Sequence, residues 1–279
     1  MMHPLSNKVA LITGGSSGIG RATALRLAGH GAKVAVAARG RGALESVVKA
    51  AQDLGMEVLA VPVDVQEAQQ CRQAVEATVA RFGRLDALIC SAGISMRADF
   101  DGSDLAALEQ VMRVNFLGTL YATHFALPYV KQSRGSLVAL SSLTGLRGVP
   151  SYGIYGASKF AIQGLYESLR IELRRHGVHV GIFAPGFVDT PLRLHVLGPD
   201  GRPWAKAPAP PFRVWTAEKC ADLLVRMLVK RRSQMCLPWH IPLWLWLDQI
   251  VGRTVGNFIL RYAFPPLGQE SVIRGNHSG

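Results

Sequence analysis

Through the first 186 residues, short apolar runs alternate with stretches whose apolar positions recur every three to four residues. Lys8-Val-Ala-Leu-Ile-Thr13 is apolar, short and stopped by glycines, which predicts a buried strand. Arg21 to Gly29 follows with Ala22, Leu25 and Ala28 on one side, the spacing of a helix. The alternation continues. Strands are predicted at Lys33–Ala38, Glu57–Val63, Asp86–Cys90, Gly135–Leu140 and Val178–Ala184. Helices are predicted between them at Ala43–Leu54, Glu67–Phe82, Leu105–Val130 and Tyr152–His176. Regular strand–helix alternation predicts an α/β fold, a doubly wound parallel sheet covered on both faces. Right-handed crossovers then gather the loops that follow the strands along one edge. Residues 187 to 214 break the rhythm, because six prolines and two glycines there forbid a long regular element. A stretch of that kind is expected to be a lid. Thr216 is placed to cap a helix reaching about Lys230, and Ser233–Leu237 supplies a last short strand, about seven in all. One domain over 1–238, with a hydrophobic extension at 239–279, is the organisation this predicts.

Between the first strand and helix stands Gly14-Gly-Ser-Ser-Gly18-Ile-Gly20. Strand, glycine loop and helix form the context of a dinucleotide fingerprint, a Rossmann-type arrangement. Glycines let the backbone approach a pyrophosphate, and the helix N-terminus offers it free N–H groups. The spacing is Gly-x-x-x-Gly-x-Gly, not Gly-x-Gly-x-x-Gly. The second strand ends at Ala38-Arg39, with no carboxylate at its tip. A carboxylate there favours the ribose hydroxyls of NAD, whereas an arginine attracts a 2′-phosphate, so NADP(H) is the expected cofactor.

Further along, Ser142 ends the fifth strand, and Tyr155 and Lys159 sit one turn apart on the next helix. A free phenol titrates near 10, and an ammonium beside it is expected to lower that value. With a serine hydroxyl to hold a substrate oxygen, the three make a proton-transfer device for a carbonyl or an alcohol. Taken alone, Tyr-x-x-x-Lys also fits an ordinary exposed helical face; the glycine loop upstream is what gives it weight.

Composition narrows the classes. An apolar content of 49% over 279 residues excludes a disordered chain. The four cysteines are far apart and without a histidine cluster, which argues against a disulfide framework and against a metal site, and fits a reducing, cytoplasmic compartment. The first residues show no secretory pattern. The net charge of +12 is dispersed, and no nucleic-acid motif accompanies it, so nucleic acid is not an expected partner.

Thr13 to Gly20, Ser142, Tyr155-x-x-x-Lys159 and Pro185-Gly-Phe-Val-Asp-Thr190 occur in the order and spacing of the short-chain dehydrogenase/reductase family. The chain resembles its single-domain form over residues 6 to 237. The resemblance implies Tyr155 as acid/base, Lys159 as the group that tunes it and holds the nicotinamide ribose, Ser142 on the substrate carbonyl, and Asn115 in a proton relay. It implies a cofactor site made of Gly14, Ser16, Ser17, Gly18, Ile19, Gly20 and Arg39. Asp64 and Val65 are expected at the adenine, Ser91, Ala92 and Gly93 at the ribose, and Pro185, Gly186, Val188 and Thr190 at the carboxamide. Where the family commonly carries Asn-Asn-Ala-Gly, this chain has Cys90-Ser-Ala-Gly93, so amide bonds that brace the sheet are expected to be missing. Homo-oligomers, dimers or tetramers, are usual in the family.

All five tryptophans lie beyond residue 203. The run Met235 to Leu247 is apolar but too short for a transmembrane helix. The extension fits a cover over the pocket, a peripheral membrane contact, or an oligomer contact. Ala157 to Leu169 resembles members that act on lipid-like ketones, including 3-ketosphinganine reductases. An NADP(H)-dependent oxidoreductase for a hydrophobic carbonyl or alcohol is the reading that results. A silent NADP(H)-binding sensor or scaffold is the alternative.

Overall fold

The computed structural model describes residues 3–204, 212–250 and 254–264. Residues 205–211 of the lid expected over 187–214, and residues 251–253 and 265–279 of the extension, lie outside the described residues. The elements are β1 (Val9–Thr13), α1 (Gly18–Gly29), β2 (Lys33–Ala38), α2 (Arg41–Gln52), β3 (Val58–Pro62), α3 (Ala68–Phe82) and β4 (Ala87–Cys90). Next come α4 (Leu105–Met112), α5 (Gly118–Ser133), β5 (Ser136–Leu140), α6 (Gly153–Glu172), β6 (His179–Pro185), β7 (Val188–Asp189) and α7 (Pro191–Leu194). The chain continues with β8 (Trp215–Thr216), α8 (Ala217–Lys230), β9 (Gln234–Leu237), α9 (Ile241–Ile250) and α10 (Thr254–Ala263).

Seven parallel strands form one sheet in the order β3-β2-β1-β4-β5-β6-β9. The chain starts in the middle, runs out to β3, then crosses back to build the other half. That reversal leaves a crevice between the carboxyl ends of β1 and β4, where α/β sheets bind their ligands. Thr13 is level with Cys90, and Cys90 with Ala139, so the loops after β1, β4 and β5 open side by side.

Strand residues alternate between two cores, which explains their unbroken apolar runs. Val9 and Leu11 face one core with α3, α5 and α6; Ala10 and Ile12 face the other with α1, α2 and α8. Leu137 and Ala139 divide from Val138 and Leu140 in the same way.

The helix expected over Leu105–Val130 runs unbroken, but it is not α-helical throughout. Between α4 and α5 the backbone widens into a π-helical turn at Arg113–Leu117, which contains Asn115. One extra residue in a turn leaves the apolar spacing almost unchanged, so the periodicity did not reveal it. Thr216 caps α8, its hydroxyl accepting from the Lys219 N–H at 3.1 Å. The irregular stretch after β6 is tied down by β7 and β8, which pair in parallel through Val188 and Trp215. Among the described residues, no helix is long and apolar enough to cross a membrane.

Candidate active site

The glycine loop is packed as tightly as its composition suggests. Gly14 has φ +66°, and a Cβ there would lie 2.6 Å from the Ala92 backbone nitrogen. A Cβ at Gly20 would meet the Gly14 carbonyl oxygen at 2.3 Å. Neither position accepts a side chain. These close approaches bring the loops after β1 and β4 together, with the Ser91 N–H bonded to the Thr13 carbonyl at 3.1 Å. Ser17 precedes the first turn of α1 without capping it through its side chain, and that turn holds no acidic residue. Its N–H groups and positive dipole end suit a diphosphate, so the residues fit a dinucleotide. Ser16 and Ile19 complete the loop, half-buried. Thr190, from beyond β6, reaches to the opposite side: a Cβ on Gly18 would lie 3.0 Å from its side chain.

At the tip of β2, Arg39 is exposed. Asp64 follows β3, and its carboxylate accepts from the backbone and side-chain amides of Gln66. Val65 is buried against Gly118 of α5. Pro185 ends β6, and the Gly186 N–H donates to the Leu237 carbonyl at 2.7 Å. Val188 is buried one strand residue further on.

The structure brings Ser142, Tyr155, Lys159 and Asn115 together. Ser142 is buried just past β5 and accepts from the Thr144 N–H at 3.2 Å. Its hydroxyl lies beside the Tyr155 phenol and acts to lower that group's pKa. Tyr155 and Lys159 both lie on α6, the ammonium 5.8 Å from the centre of the phenol ring. Lys159 donates to the Leu140 carbonyl at 2.9 Å. The end of β5 therefore supplies both the serine and the lysine's anchor.

Asn115 joins the neighbouring pieces. Its Oδ1 accepts from the Ile94 N–H at 2.8 Å, and its Nδ2 donates to the Ile94 carbonyl and to Ser158, each at 3.0 Å. Ser158 in turn donates to the Tyr155 carbonyl at 2.7 Å. One amide thus fixes the loop after β4 against α6. Gly93 lies between these groups: a Cβ there would be 3.2 Å from Asn115 Oδ1 and 3.6 Å from Lys159 Nζ.

The electrostatics differ from the expectation of a phenol lowered by its lysine. Burial pushes the Tyr155 phenol up to about 12, against a smaller lowering by the Ser142 hydroxyl. Burial also pulls Lys159 down to about 8. Both groups lose solvation, and that loss penalises each charged form. The ammonium points at Leu140, not at the phenol oxygen. At neutral pH the tyrosine is a neutral acid, with a cationic lysine one turn away.

The missing family amide is replaced by a buried cluster. Cys90 Sγ lies 3.7 Å from the Tyr166 hydroxyl, which is 2.8 Å from Thr123 Oγ1. Burial raises the Cys90 thiol to about 11, so it stays protonated. Pattern reading missed Ser158 and Tyr152. Ser158 directly precedes Lys159, a signal that was available; Tyr152 gave none beyond its place at the helix start. Next to that start lies a cavity of about 200 Å³, lined by Met96, Ala98, Val149 and Ile154 and by the polar Asp99, Ser103 and Ser151.

The model of the family described as short chain dehydrogenase matches residues 8–197. The chain is 35% identical to 11-beta-hydroxysteroid dehydrogenase-like 4A of Arabidopsis thaliana, over 88% of this chain and 81% of that protein. It is 36% identical to 11-beta-hydroxysteroid dehydrogenase A of Sesamum indicum, over 87% of this chain and 72% of that protein. Among solved structures, a dehydrogenase/reductase from Sinorhizobium meliloti 1021 superposes with a TM-score of 0.72 at 28% identity, covering 85% of this chain and 96% of that one. Parallel sheet, glycine loop, converging serine, tyrosine and lysine, and these relatives lead to one statement: the chain belongs to the short-chain dehydrogenase/reductase family, oxidoreductases that bind a nicotinamide cofactor.

Proposed function

We propose that this protein interconverts a carbonyl and a secondary alcohol on a hydrophobic, steroid-like or lipid-like substrate, using NADP(H). The observation that carries the reading is the convergence of Ser142 and a buried Lys159 on the Tyr155 phenol. Bound NADPH supplies the hydride. In reduction, Ser142 holds the substrate oxygen and Tyr155 gives it the phenol proton, the acid/base step such sites perform. Starting as a neutral acid suits Tyr155 to that direction. Lys159 keeps a positive charge near the phenolate that results, and Asn115 holds the β4 loop and α6 at the spacing this transfer needs.

NADP(H) is favoured over NAD(H) by the exposed guanidinium of Arg39 at the β2 tip, where a carboxylate is absent. A hydrophobic substrate is favoured by the names of the two plant relatives. The test is NADPH and NADH consumption across a panel of monocyclic, fused-ring and long-chain ketones. Turnover of apolar ketones with NADPH preferred is the expected result. Tight NADPH binding with no turnover anywhere on the panel would favour a binding-only protein instead.

A second reading concerns where the enzyme works. Trp239, Leu243, Trp246, Ile250, Phe258 and Tyr262 of the extension are all more than half exposed. On a chain of +12 charge, that surface suits peripheral contact with an anionic membrane. Full-length protein should float with phosphatidylserine vesicles, and a Leu243→Glu/Trp246→Glu/Phe258→Glu variant should not. Equal behaviour of the two removes this reading. A homo-oligomer is proposed through the outer face of α6, where Phe160 and Ile171 are exposed. Sedimentation of parent and Ile171→Glu tests it.

A further inference from the structure

The extension does not simply trail from the domain. Phe264, at the end of α10, is 6% exposed, its ring 5.8 Å from that of Tyr152 and 6.4 Å from that of Phe187. The polar part of the same contact is centred on Arg147, five residues beyond Ser142. Arg147 Nε pairs with Asp248 Oδ2 of α9 at 3.2 Å, the two side chains 12% and 3% exposed. Its Nη2 donates to Asn257 Oδ1 of α10 at 2.6 Å. Asp248 Oδ1 accepts from the Gly256 N–H at 2.8 Å, and a Cβ on Gly256 would collide with that carboxylate. The two tail helices meet around one carboxylate, and that carboxylate meets one arginine of the domain.

The three catalytic side chains differ in what holds them. Tyr155 and Lys159 ride on α6, a helix of 20 residues, which Asn115 and Ser158 tie to the loop after β4. Ser142 stands past the end of β5, at the head of a single 3-10 turn over Leu143–Gly145. Such turns have poorer hydrogen-bond geometry than an α-helix, so their shape rests more on what holds their ends. The Ser142 carbonyl accepts from the Gly145 N–H at 3.0 Å. The Leu143 carbonyl accepts from the N–H groups of Leu146 and Arg147, at 3.1 and 3.2 Å. The turn that opens at Ser142 therefore closes at Arg147, and the stretch from there to α6 is neither helix nor strand.

We infer that Arg147 and Asp248 are positioning residues for the catalytic serine: their buried pair fixes the exit of the turn to the tail, and so sets where the Ser142 hydroxyl meets the substrate oxygen. Neither acts on the substrate itself. Arginine suits the task because its planar fork reaches α9 and α10 at once, which a lysine ammonium does not reproduce. Breaking a buried pair at one partner leaves the other charge uncompensated, and turn and tail then separate to let water in. A misplacement of about 1 Å costs on the order of 100-fold in rate, so a shift of about half that costs roughly tenfold. The inference rests on the oxidoreductase reading above.

The test uses full-length protein, NADPH and the best ketone of the panel. Asp248→Asn keeps an acceptor for Gly256 and removes the charge. It should lower kcat about tenfold, with KM and NADPH affinity within about twofold. Arg147→Lys should do the same. The deciding comparison repeats Asp248→Asn in a Ser142→Ala background, followed by single turnover at high enzyme concentration. A tail that works through the serine hydroxyl has nothing left to position there, so the tenfold loss should shrink to within about twofold. If Asp248→Asn does not fold, Asn257→Leu removes only the α10 end of the bridge; it should lower kcat about threefold, and the loss should again vanish without the serine. An active parent whose kcat is unchanged in these variants overturns the inference. So does an equal loss with and without the Ser142 hydroxyl, which marks general loosening of the fold. A parent inactive across the whole panel instead overturns the oxidoreductase reading.

Discussion

Lys159→Met keeps the length of a buried side chain and removes its charge. Lys159 is 5% exposed, and burial lowers its pKa from 10.5 to about 8. At about 1.36 kcal/mol per pH unit, that drop corresponds to roughly 3 kcal/mol of destabilisation at pH 7, where the amine is protonated both folded and unfolded. The variant also loses the bond to the Leu140 carbonyl, worth about 1 kcal/mol. The net expectation is a gain of about 2 kcal/mol at pH 7, in a protein that no longer turns over substrate. The pH dependence carries a sign. Because the folded pKa lies below the unfolded one, the unfolded chain binds more protons between about pH 8 and 10.5. The parent therefore recovers stability over that window, and the advantage of the variant shrinks as pH rises through it. Urea unfolding of both proteins at pH 7 and pH 10 measures this. A variant at least 1 kcal/mol less stable than the parent at pH 7, or an advantage that does not shrink by pH 10, refutes the reasoning.

Arg39→Asp should lower kcat/KM with NADPH tenfold or more while sparing NADH, because a carboxylate repels a 2′-phosphate and accepts ribose hydroxyls; steady-state kinetics with both cofactors checks it. Asn115→Leu should cost about 2–4 kcal/mol, since the Ile94 N–H and carbonyl and the Ser158 hydroxyl all lose a buried partner; denaturant unfolding, with faster amide exchange at Ile94, reads it. The four buried thiols are raised to about 11 or 12 from 9.0. Their contribution is complete below pH 9 and is lost as pH rises from about 9 to 12, so the parent should unfold at lower urea at pH 11 than at pH 9, with Cys71→Ala flattening part of that slope.

The sheet was legible because strands buried on both faces read as unbroken apolar runs, and because β1, the glycine loop and α1 are contiguous in the chain. Ser142, Tyr155 and Lys159 were legible for a related reason: strand end and helix start are close in sequence. What stayed hidden depends on distance or on solvation. Arg147 meets Asn257 across 110 residues, and no local pattern marks such a pair. Phe264 looked like one more apolar residue in an apolar tail. The π-turn at Asn115 leaves the spacing of apolar positions nearly intact. The raised phenol of Tyr155 depends on how deeply the fold buries it, and on the lysine's turning to Leu140, neither of which a four-residue spacing contains.

The role of the Tyr155 phenol remains the core of the account. Tyr155→Phe removes one oxygen and leaves the glycine loop, Arg39 and Lys159 in place. NADPH binding, followed by fluorescence, should stay within about twofold, while kcat/KM on the best ketone of the panel falls by at least about 100-fold. A Tyr155→Phe protein that binds NADPH and keeps full turnover would contradict the assignment of Tyr155 as the proton donor.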